Sequence, residues 1–190
     1  MRVISGSARG RKLKAPEGLT TRPTTDRIKE SLFNIIAGDL YECRFLDLFS
    51  GSGGMGIEAL SRGAKKAVFV DNNRNSISVI NDNIKAVGFD DRAKVLSCDI
   101  SAAISRLGSM GEKFDIIFMD PPYNRGFVES TLTYIVKADI LADDGYIIAE
   151  QSQEDKIPDV QGLEVFRVKD YKITKMTFLS AVKTDEQLGD

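Results

Sequence analysis

Apolar stretches rich in β-branched and aromatic residues recur along most of the chain, and amphipathic stretches separate them. The apolar stretches cover residues 45–49, 67–71, 94–98, 114–120 and 146–150. The stretches with apolar residues at helical spacing cover residues 56–61, 76–87, 102–107 and 128–140. Strands that are apolar throughout, rather than at alternate positions, are typical of a parallel sheet covered on both faces. The pattern therefore predicts a doubly wound α/β domain.

The end of the chain departs from this rhythm. Residues 163–168 alternate between apolar and polar positions, residues 169–172 can form a turn, and residues 173–182 form another strand-like run. Two strands joined by so short a connection pair antiparallel, because a parallel return needs a crossover of about a dozen residues or more. We therefore expect a mostly parallel sheet that ends in an antiparallel strand.

The first forty residues follow a different pattern. Residues 2–5 and 11–14 flank a glycine-containing loop, which predicts a small β-hairpin. A helix cap at residues 24–26 precedes an apolar helical stripe that Gly38 ends. The stripe consists of Ile28, Leu32, Ile35 and Ile36. We expect residues 1–40 to form a basic appendage and residues 41–190 to form the main domain.

Composition narrows the range of chemistry. The chain has 190 residues, two cysteines and no histidine. The lack of histidine excludes histidine-based catalytic triads and histidine-ligated zinc sites, and two cysteines are too few for a thiolate metal site, so we expect no metal. No apolar run approaches the roughly 20 residues that span a bilayer, and the N-terminus has no secretion-signal pattern, so we expect a cytoplasmic protein.

Charge is distributed unevenly along the chain. Residues 1–30 contain eight Lys and Arg against three acidic residues, a net charge of +5, so the remainder carries −7 of the total of −2. A basic segment on an acidic body indicates a polyanionic partner that meets one face of the protein. A basic but merely solvated surface is the alternative.

The stretch FLDLFSGSGGMG, residues 45–56, is a strand that enters a glycine-rich turn of the form G-x-G-x-x-G. Asp71 ends the next strand, 20 residues after Gly51, where a carboxylate can accept hydrogen bonds from a ribose. This arrangement suits NAD and S-adenosylmethionine equally well. Asp47 lies inside the first strand, where a carboxylate needs a partner. The ammonium group of S-adenosylmethionine would supply one; otherwise Asp47 bonds the amides of the turn.

Two further strands end in candidate ligand-binding residues. Asp99 follows the third strand, where it could bind the amino group of an adenine or simply cap a helix. The fourth strand runs into Asp120-Pro121-Pro122-Tyr123. Prolines donate no backbone N–H, so this segment presents rigid carbonyl acceptors beside the Asp120 carboxylate, and Tyr123 can stack on a flat ring. Such a pocket suits a planar amino group; a tight turn whose aspartate caps a helix is the alternative.

Together, FLDLFSGSGGMGIEALSRGA, FVD and DPPY resemble the class I S-adenosylmethionine-dependent methyltransferases that act on exocyclic amino groups. The segments ISGSARGRKLKAP and TRPTTDRIKESLFNII are similar to the N-terminal signature of the RsmD family, bacterial 16S ribosomal RNA guanine-N2 methyltransferases. The resemblance covers roughly residues 1–150. DPPY alone is shared with DNA adenine-N6 and protein glutamine methyltransferases, so the N-terminal signature makes the match specific.

The resemblance implies a Rossmann-like fold, S-adenosylmethionine as the cofactor and 16S ribosomal RNA as the partner, within the small subunit or its assembly intermediate. It implies these cofactor-binding residues: Asp47, Phe49, Gly51, Gly53, Asp71, Asn72, Asp99 and Ile100. It assigns the target guanine to Asp120, Pro121, Pro122 and Tyr123. It assigns RNA contacts to Arg9, Arg11, Arg22, Thr24 and Arg27, of which Arg22 and Thr24 could instead reach the active site.

Three other functions are compatible with parts of this pattern. A DNA adenine-N6 methyltransferase shares the chemistry but usually carries a larger target-recognition region. An NAD-dependent oxidoreductase leaves DPPY and the basic segment unexplained. A catalytically silent RNA-binding or ribosome-assembly factor leaves the carboxylates at Asp47, Asp71 and Asp120 unexplained. For the oligomeric state, a monomer is the default expectation.

Overall fold

A seven-stranded sheet with helices on both faces forms the centre of the protein. The computed structural model describes residues 1–16, 26–122, 126–156 and 159–183. The strands are β1 Arg44–Leu48, β2 Lys66–Asp71, β3 Ala93–Ser97, β4 Phe114–Met119, β5 Leu141–Ser152, β6 Leu163–Asp170 and β7 Thr174–Ala181. The helices are α1 Asp26–Ile35, α2 Gly54–Ser61, α3 Arg74–Val87, α4 Ile100–Ser109 and α5 Phe127–Ala138, with a short 3-10 helix at Ala37–Asp39.

The strand order across the sheet is β3-β2-β1-β4-β5-β7-β6. The first five strands pair parallel, whereas β7 pairs antiparallel with both β5 and β6. The order of strands reverses between β1 and β4, because the chain first builds the sheet on one side of β1 and then continues on the other. Open α/β sheets bind their ligands at the carboxyl ends of the strands that flank such a reversal. The predicted mostly parallel, doubly wound sheet with an antiparallel C-terminal strand is confirmed.

Most predicted strands agree with the structure to within one or two residues, and β5 is the exception. The apolar pattern predicts a strand at 146–150, but β5 begins at Leu141. Leu141 pairs with Phe114, and an irregularity in register separates that pair from the next one at Ile116 and Tyr146. The segment between Leu141 and Tyr146 is bulged and half-exposed, so it contains polar residues. These residues interrupt the apolar pattern, and the pattern therefore did not predict the extension.

Alternate residues of the strands face two separate cores. On one face Phe45, Phe69, Phe118 and Phe178 pack with α1, α2 and α3. On the opposite face Leu46, Val70, Ile117 and Leu179 pack with α4 and α5. We call these the α1 face and the α4 face, and side-chain alternation along each strand extends the assignment to neighbouring positions.

The N-terminal segment forms the predicted hairpin, closed by one isolated bridge between Arg2 and Lys12. The amide of Val3 donates to the carbonyl of Arg11 at 2.9 Å, and Gly10 donates back to Val3 at 2.9 Å. Helix α1 ends at Ile35, earlier than the expected stop at Gly38, because the chain tightens there into the 3-10 helix.

A buried carboxylate joins the N-terminal segment to α2. Glu58, fully buried on α2, accepts hydrogen bonds from the amides of Ile4 and Ser5 at 2.8 and 3.0 Å. It also pairs with Arg62 at 2.8 Å and with Lys29 at 3.4 Å. Lys29 is 1% exposed, and its ammonium group also donates to the carbonyl of Arg2. Burial lowers the pKa of Lys29, and the charge of Glu58 opposes that shift.

This cluster generates a prediction about stability. Replacing Glu58 with Gln leaves the Lys29 ammonium group buried without its carboxylate, so Glu58→Gln should lower the free energy of unfolding by about 3 kcal/mol. Adding Lys29→Met should recover a large part of that loss. The measurement is urea unfolding at neutral pH.

Lys14→Met is the matched control, because it removes the exposed pair with Asp82, at 2.8 Å, and should cost less than about 1 kcal/mol. If Glu58→Gln were no more destabilising than this control, the buried cluster would not be what holds the N-terminal segment.

Candidate active site

The predicted site residues meet at the carboxyl edge of the parallel strands. Asp47 pairs in register with Phe69 of β2 and Phe118 of β4. Because Phe69 and Phe118 face the α1 side, Asp47 faces that side too, as do Asp71 and Asp120 two positions further along their strands. Three acidic side chains on three neighbouring strands therefore project from the same face at the same edge.

Two of these carboxylates tether the glycine-rich turn. Asp71 accepts a hydrogen bond from the amide of Gly51 at 2.9 Å, and Asp47 accepts one from Gly56 at 2.9 Å. The turn needs left-handed backbone at Gly51 and Gly53, with φ of 56° and 76°. Phe49 also has a positive φ, 60°, which is unfavourable for a residue with a Cβ and is found most often at functional sites.

Close approach explains the third glycine of the motif. A Cβ atom at Gly56 would lie 2.3 Å from the ring of Phe69, so only glycine lets α2 pack this closely on β2. Gly53 caps α2 at its N-terminus. The turn thus presents the start of α2 to the carboxyl edge of the sheet, where helix-terminal amides favour polar or anionic groups.

Asp47 is buried and half satisfied. Its Oδ2 accepts the Gly56 amide, but within the described residues its Oδ1 has no hydrogen-bond partner. Burial raises the pKa of Asp47 to about 8; the Gly56 hydrogen bond opposes this shift and the charge of Asp71 adds to it. Asp47 therefore bonds a turn amide, as one of the two interpretations expects, and its second oxygen remains available for a further partner.

A cavity of about 480 Å³ opens beside the turn. It brings together six of the predicted residues, namely Phe49, Asp71, Asn72, Asp99, Ile100 and Pro122. It is also lined by five residues that sequence reasoning missed, namely Ser101, Phe127, Ser130, Thr131 and Tyr134. Most of the missed residues lie on α5, whose helical pattern gave no sign of which face turns toward the site.

Asp99 and Asn72 form a polar pair at the rim of this cavity. Asn72 donates from its amide to Asp99 Oδ1 at 2.9 Å. Asp99 occupies the N-cap position of α4, but its side chain makes no capping hydrogen bond. Its carboxylate thus faces the cavity rather than serving the helix end, and it retains capacity to accept from a ligand.

Asp120 directly follows β4 and is partly buried, with Pro121 buried and Pro122 exposed beside it. Tyr123 lies outside the described residues. Met119 pairs with Ala149, so Asp120 and Glu150 occupy adjacent positions on neighbouring strands. Burial raises the pKa of Asp120 well above its usual value, and the nearby carboxylates of Glu150 and Asp47 raise it further.

Of the predicted RNA-contacting residues, Arg9, Arg11 and Arg27 are exposed, whereas Arg22 and Thr24 lie outside the described residues. The hairpin loop that carries Arg9 contacts Ser61, at the end of α2 further from the glycine turn. Lys29, which was counted with the basic segment, is buried against Glu58 and is not available to a partner. The sequence alone could not separate the buried Lys29 from the exposed basic residues, because a lysine at this position of α1 is charged whether it is exposed or paired.

The described residues form neither a membrane-spanning helix nor a cluster of metal-binding side chains. No helix in the described ranges is long and apolar enough to cross a lipid bilayer. Among the same residues, no three His, Cys, Asp or Glu side chains are grouped so that they could hold a metal ion.

Comparison with known proteins places this site in context. Residues 1–180 match the protein family described as "Conserved hypothetical protein 95". Among curated relatives, the "Putative rRNA methyltransferase YlbH" of Bacillus subtilis is 43% identical over 175 residues, which cover 92% of this chain and 95% of that protein. The "Ribosomal RNA small subunit methyltransferase D" of Escherichia coli K12 is 38% identical over 160 residues, which cover 84% and 79% of the two chains.

A solved structure supports the same relationship. The "Putative methyltransferase yhhF" of Escherichia coli superimposes with a TM-score of 0.84 and 33% sequence identity. The superposition covers 95% of this chain and 97% of that one, so the fold is shared over nearly the whole length.

The buried state of Asp47 generates a prediction about pH. Because the pKa of Asp47 is about 8 in the folded protein and near 4 when unfolded, the unfolded chain loses the proton first as pH rises. Stability should therefore fall between about pH 4 and pH 8, and Asp47→Asn should remove this contribution. Urea unfolding without ligand should show the variant gaining on the wild type by up to about 1.4 kcal/mol per pH unit.

Asp82→Asn, at an exposed site, is the control and should leave the pH dependence close to that of the wild type. Parallel stability curves for Asp47→Asn and the wild type from pH 5 to pH 8 would show that Asp47 is ionised in the free protein.

Proposed function

Because this chain belongs to the RsmD family, described as conserved hypothetical protein 95, we propose that it methylates the exocyclic N2 of a guanine in 16S ribosomal RNA, with S-adenosylmethionine as donor. Methylation of ribosomal RNA is the activity for which two of its relatives are named. The choice of guanine N2 rests on the resemblance of the N-terminal segments to the RsmD signature, and Asp120-Pro121-Pro122 supplies acceptors for an exocyclic amino group. The single observation that best supports an amino group as the target is that Pro122 lines the same cavity as Asp71 and Asp99, which we propose bind the nucleoside of the cofactor.

The residues present fit S-adenosylmethionine. Asp71 uses each oxygen once, for the amides of Gly51 and Asn73, and each oxygen keeps a second lone pair for a ribose hydroxyl. Asp47 Oδ1, without a partner among the described residues, would meet the ammonium group directly or through water. Asp99 would accept from the adenine amino group. When bound, this cofactor supplies a sulfonium-activated methyl group.

The chain's own contribution at the target is orientation of the amino group. The lone pair of a guanine amino nitrogen is delocalised into the ring, which makes it a weak nucleophile. We propose that the Asp120 carboxylate and the Pro121 carbonyl accept hydrogen bonds from its two N–H groups. These hydrogen bonds favour a pyramidal nitrogen with an available lone pair. Orientation of this kind can contribute up to about 7–11 kcal/mol to lowering a barrier.

Asp120 is also placed to accept a proton. Methyl transfer would leave the amino nitrogen cationic, and Asp120 or water would accept the one proton that it then releases. The pKa of Asp120 is raised by burial and by Glu150, so its ionised form is a stronger base than an exposed aspartate. The reaction therefore needs no histidine, in keeping with a chain that has none.

This proposed arrangement implies the kind of substrate. A base whose amino group reaches Asp120 must be unstacked and unpaired, so the target should be a loop or an accessible single-stranded segment. We propose that Tyr123 stacks on the target base and that residues 1–40 act as an RNA-contacting appendage. Exposed Arg9, Arg11 and Arg27, with Arg22 and Thr24, would contact phosphates of 16S ribosomal RNA within the small subunit or its precursor. We further propose that the protein acts as a monomer in the cytoplasm, where subunits assemble.

The experiment that tests this function is transfer of a tritiated methyl group from S-adenosylmethionine to small ribosomal subunits that lack base methylations. We expect the label, after nuclease digestion, in N2-methylguanosine, the product of methyl transfer to the exocyclic N2 of guanine. Naked small-subunit RNA and DNA serve as parallel substrates.

Each other outcome changes a different part of the proposal. Label in another ribosomal nucleoside would retain the methyltransferase and reject guanine N2, and label in N6-methyladenine of DNA would favour the DNA enzyme. Intact cofactor binding without transfer to any of these substrates would favour a silent RNA-binding factor. Binding of NAD in place of S-adenosylmethionine would reject the methyltransferase reading altogether.

A further inference from the structure

A basic groove runs between α1 and the edge strand β6, outside the candidate active site. It has a volume of about 570 Å³ and is lined from α1 by Arg27, Ser31 and Asn34, and from β6 by Arg167 and Lys169. Glu30 also lines it, so the groove has a net charge of +2. Arg167 and Lys169 are exposed, and neither forms an ion pair with any residue in the described part of the chain.

A bulge in β6 directs two side chains into this region. The register of β6 against β7 shifts between Val165 and Arg167, which leaves Phe166 as the extra residue. The ring of Phe166 contacts that of Phe178 at 6.0 Å, and the Arg167 guanidinium lies over the same Phe178 ring, also at 6.0 Å. Phe166 and Arg167 therefore both lie on the α1 face although they are consecutive, because a bulge changes the direction of a side chain. Phe166 remains 54% exposed beside the arginine.

The sheet register connects the groove to the active site. Met119 pairs with Ala149, which places Asp120 level with Glu150, and Glu150 pairs with Met176, which in turn pairs with Lys169. Lys169 therefore lies level with Asp120 on the same face, three strands away. At about 4.8 Å per strand this is roughly 14 Å, a span of a few nucleotides of single-stranded RNA.

The orientation of α1 agrees with this register. Tyr171, just past β6, donates to Ser31 at 3.1 Å, whereas Tyr146 of β5 donates to Asp39 at 2.9 Å. Helix α1 therefore begins near the carboxyl edge of the sheet and runs away from it. The groove accordingly opens at the edge where Asp120 lies and leads away from it along α1.

We propose that the α1–β6 groove binds the phosphate backbone of the substrate RNA immediately next to the target nucleotide. This inference rests on the proposed ribosomal RNA substrate and adds a contact surface on the C-terminal strands, separate from the hairpin. Unpaired cations suit phosphates, and an exposed aromatic ring beside an arginine suits stacking of a flanking base, which favours single-stranded RNA over an acidic protein segment.

The test uses the variant Arg167→Gln/Lys169→Gln and measures RNA affinity as a function of salt. The probe is unmethylated small-subunit ribosomal RNA, naked or assembled into subunits, whichever the wild-type protein binds. Log affinity falls as log salt rises, and each phosphate contact to a single strand contributes about 0.7 to the magnitude of that slope. Loss of two contacts should therefore make the slope shallower by about 1.4. The affinity for S-adenosylmethionine should stay within about twofold of wild type, which also shows that the variant is folded.

Lys65→Gln/Lys137→Gln is the matched control. It removes two exposed charges near the amino ends of the parallel strands, away from the groove, and should keep the wild-type slope. Lys169→Gln alone, with an expected fall of about 0.7, keeps the test valid if the double variant folds poorly. A wild-type slope in the groove variants would overturn this inference and leave the proposed function standing. A wild-type protein that binds neither form of the RNA would overturn both.

Discussion

The hydrogen bonds from two strand-end carboxylates to the glycine-rich turn are the constraint on which the site depends. Asp71 binds the amide of Gly51 and Asp47 binds that of Gly56, so the turn is fixed at both ends to the sheet. That attachment places the start of α2 at the carboxyl edge of the sheet. Glu58, further along α2, binds the N-terminal segment, so the same helix joins the glycine-rich turn to the hairpin.

Parallel pairing explains why acidic groups gather at one edge. Each parallel strand delivers its carboxyl end to the same side of the sheet, and side-chain alternation puts Asp47, Asp120 and Glu150 on one face. Burial, and then repulsion from neighbouring carboxylates, raises the pKa of Asp47 and of Asp120, which is costly in the free protein but suits a site for cationic and hydrogen-donating ligands. On the same face, the edge strand β6 carries exposed basic groups at Arg167 and Lys169.

Local patterns predicted most of the fold, whereas contacts between distant segments were beyond them. Continuous apolar runs and short connections gave the parallel strands and the antiparallel end, because those signals lie within a few residues. The glycine turn, Asp71 and Asp120 were recognisable for the same reason. The burial of Lys29 against Glu58 and the lining of the cavity by Tyr134 depend on helix packing across dozens of residues. The extension of β5 to Leu141 was missed because polar residues interrupt its apolar pattern.

We propose that two carboxylates divide the work, with Asp47 holding the cofactor and Asp120 holding the target amino group. The most direct measurement is the single-turnover rate of methyl transfer together with the Kd for S-adenosylmethionine, in Asp47→Asn and Asp120→Asn. We predict that Asp120→Asn lowers the rate by about a hundredfold or more with Kd within about twofold, and that Asp47→Asn weakens Kd by about tenfold or more. Equal losses of rate and cofactor affinity in both variants, or a wild-type rate in Asp120→Asn, would contradict the claim.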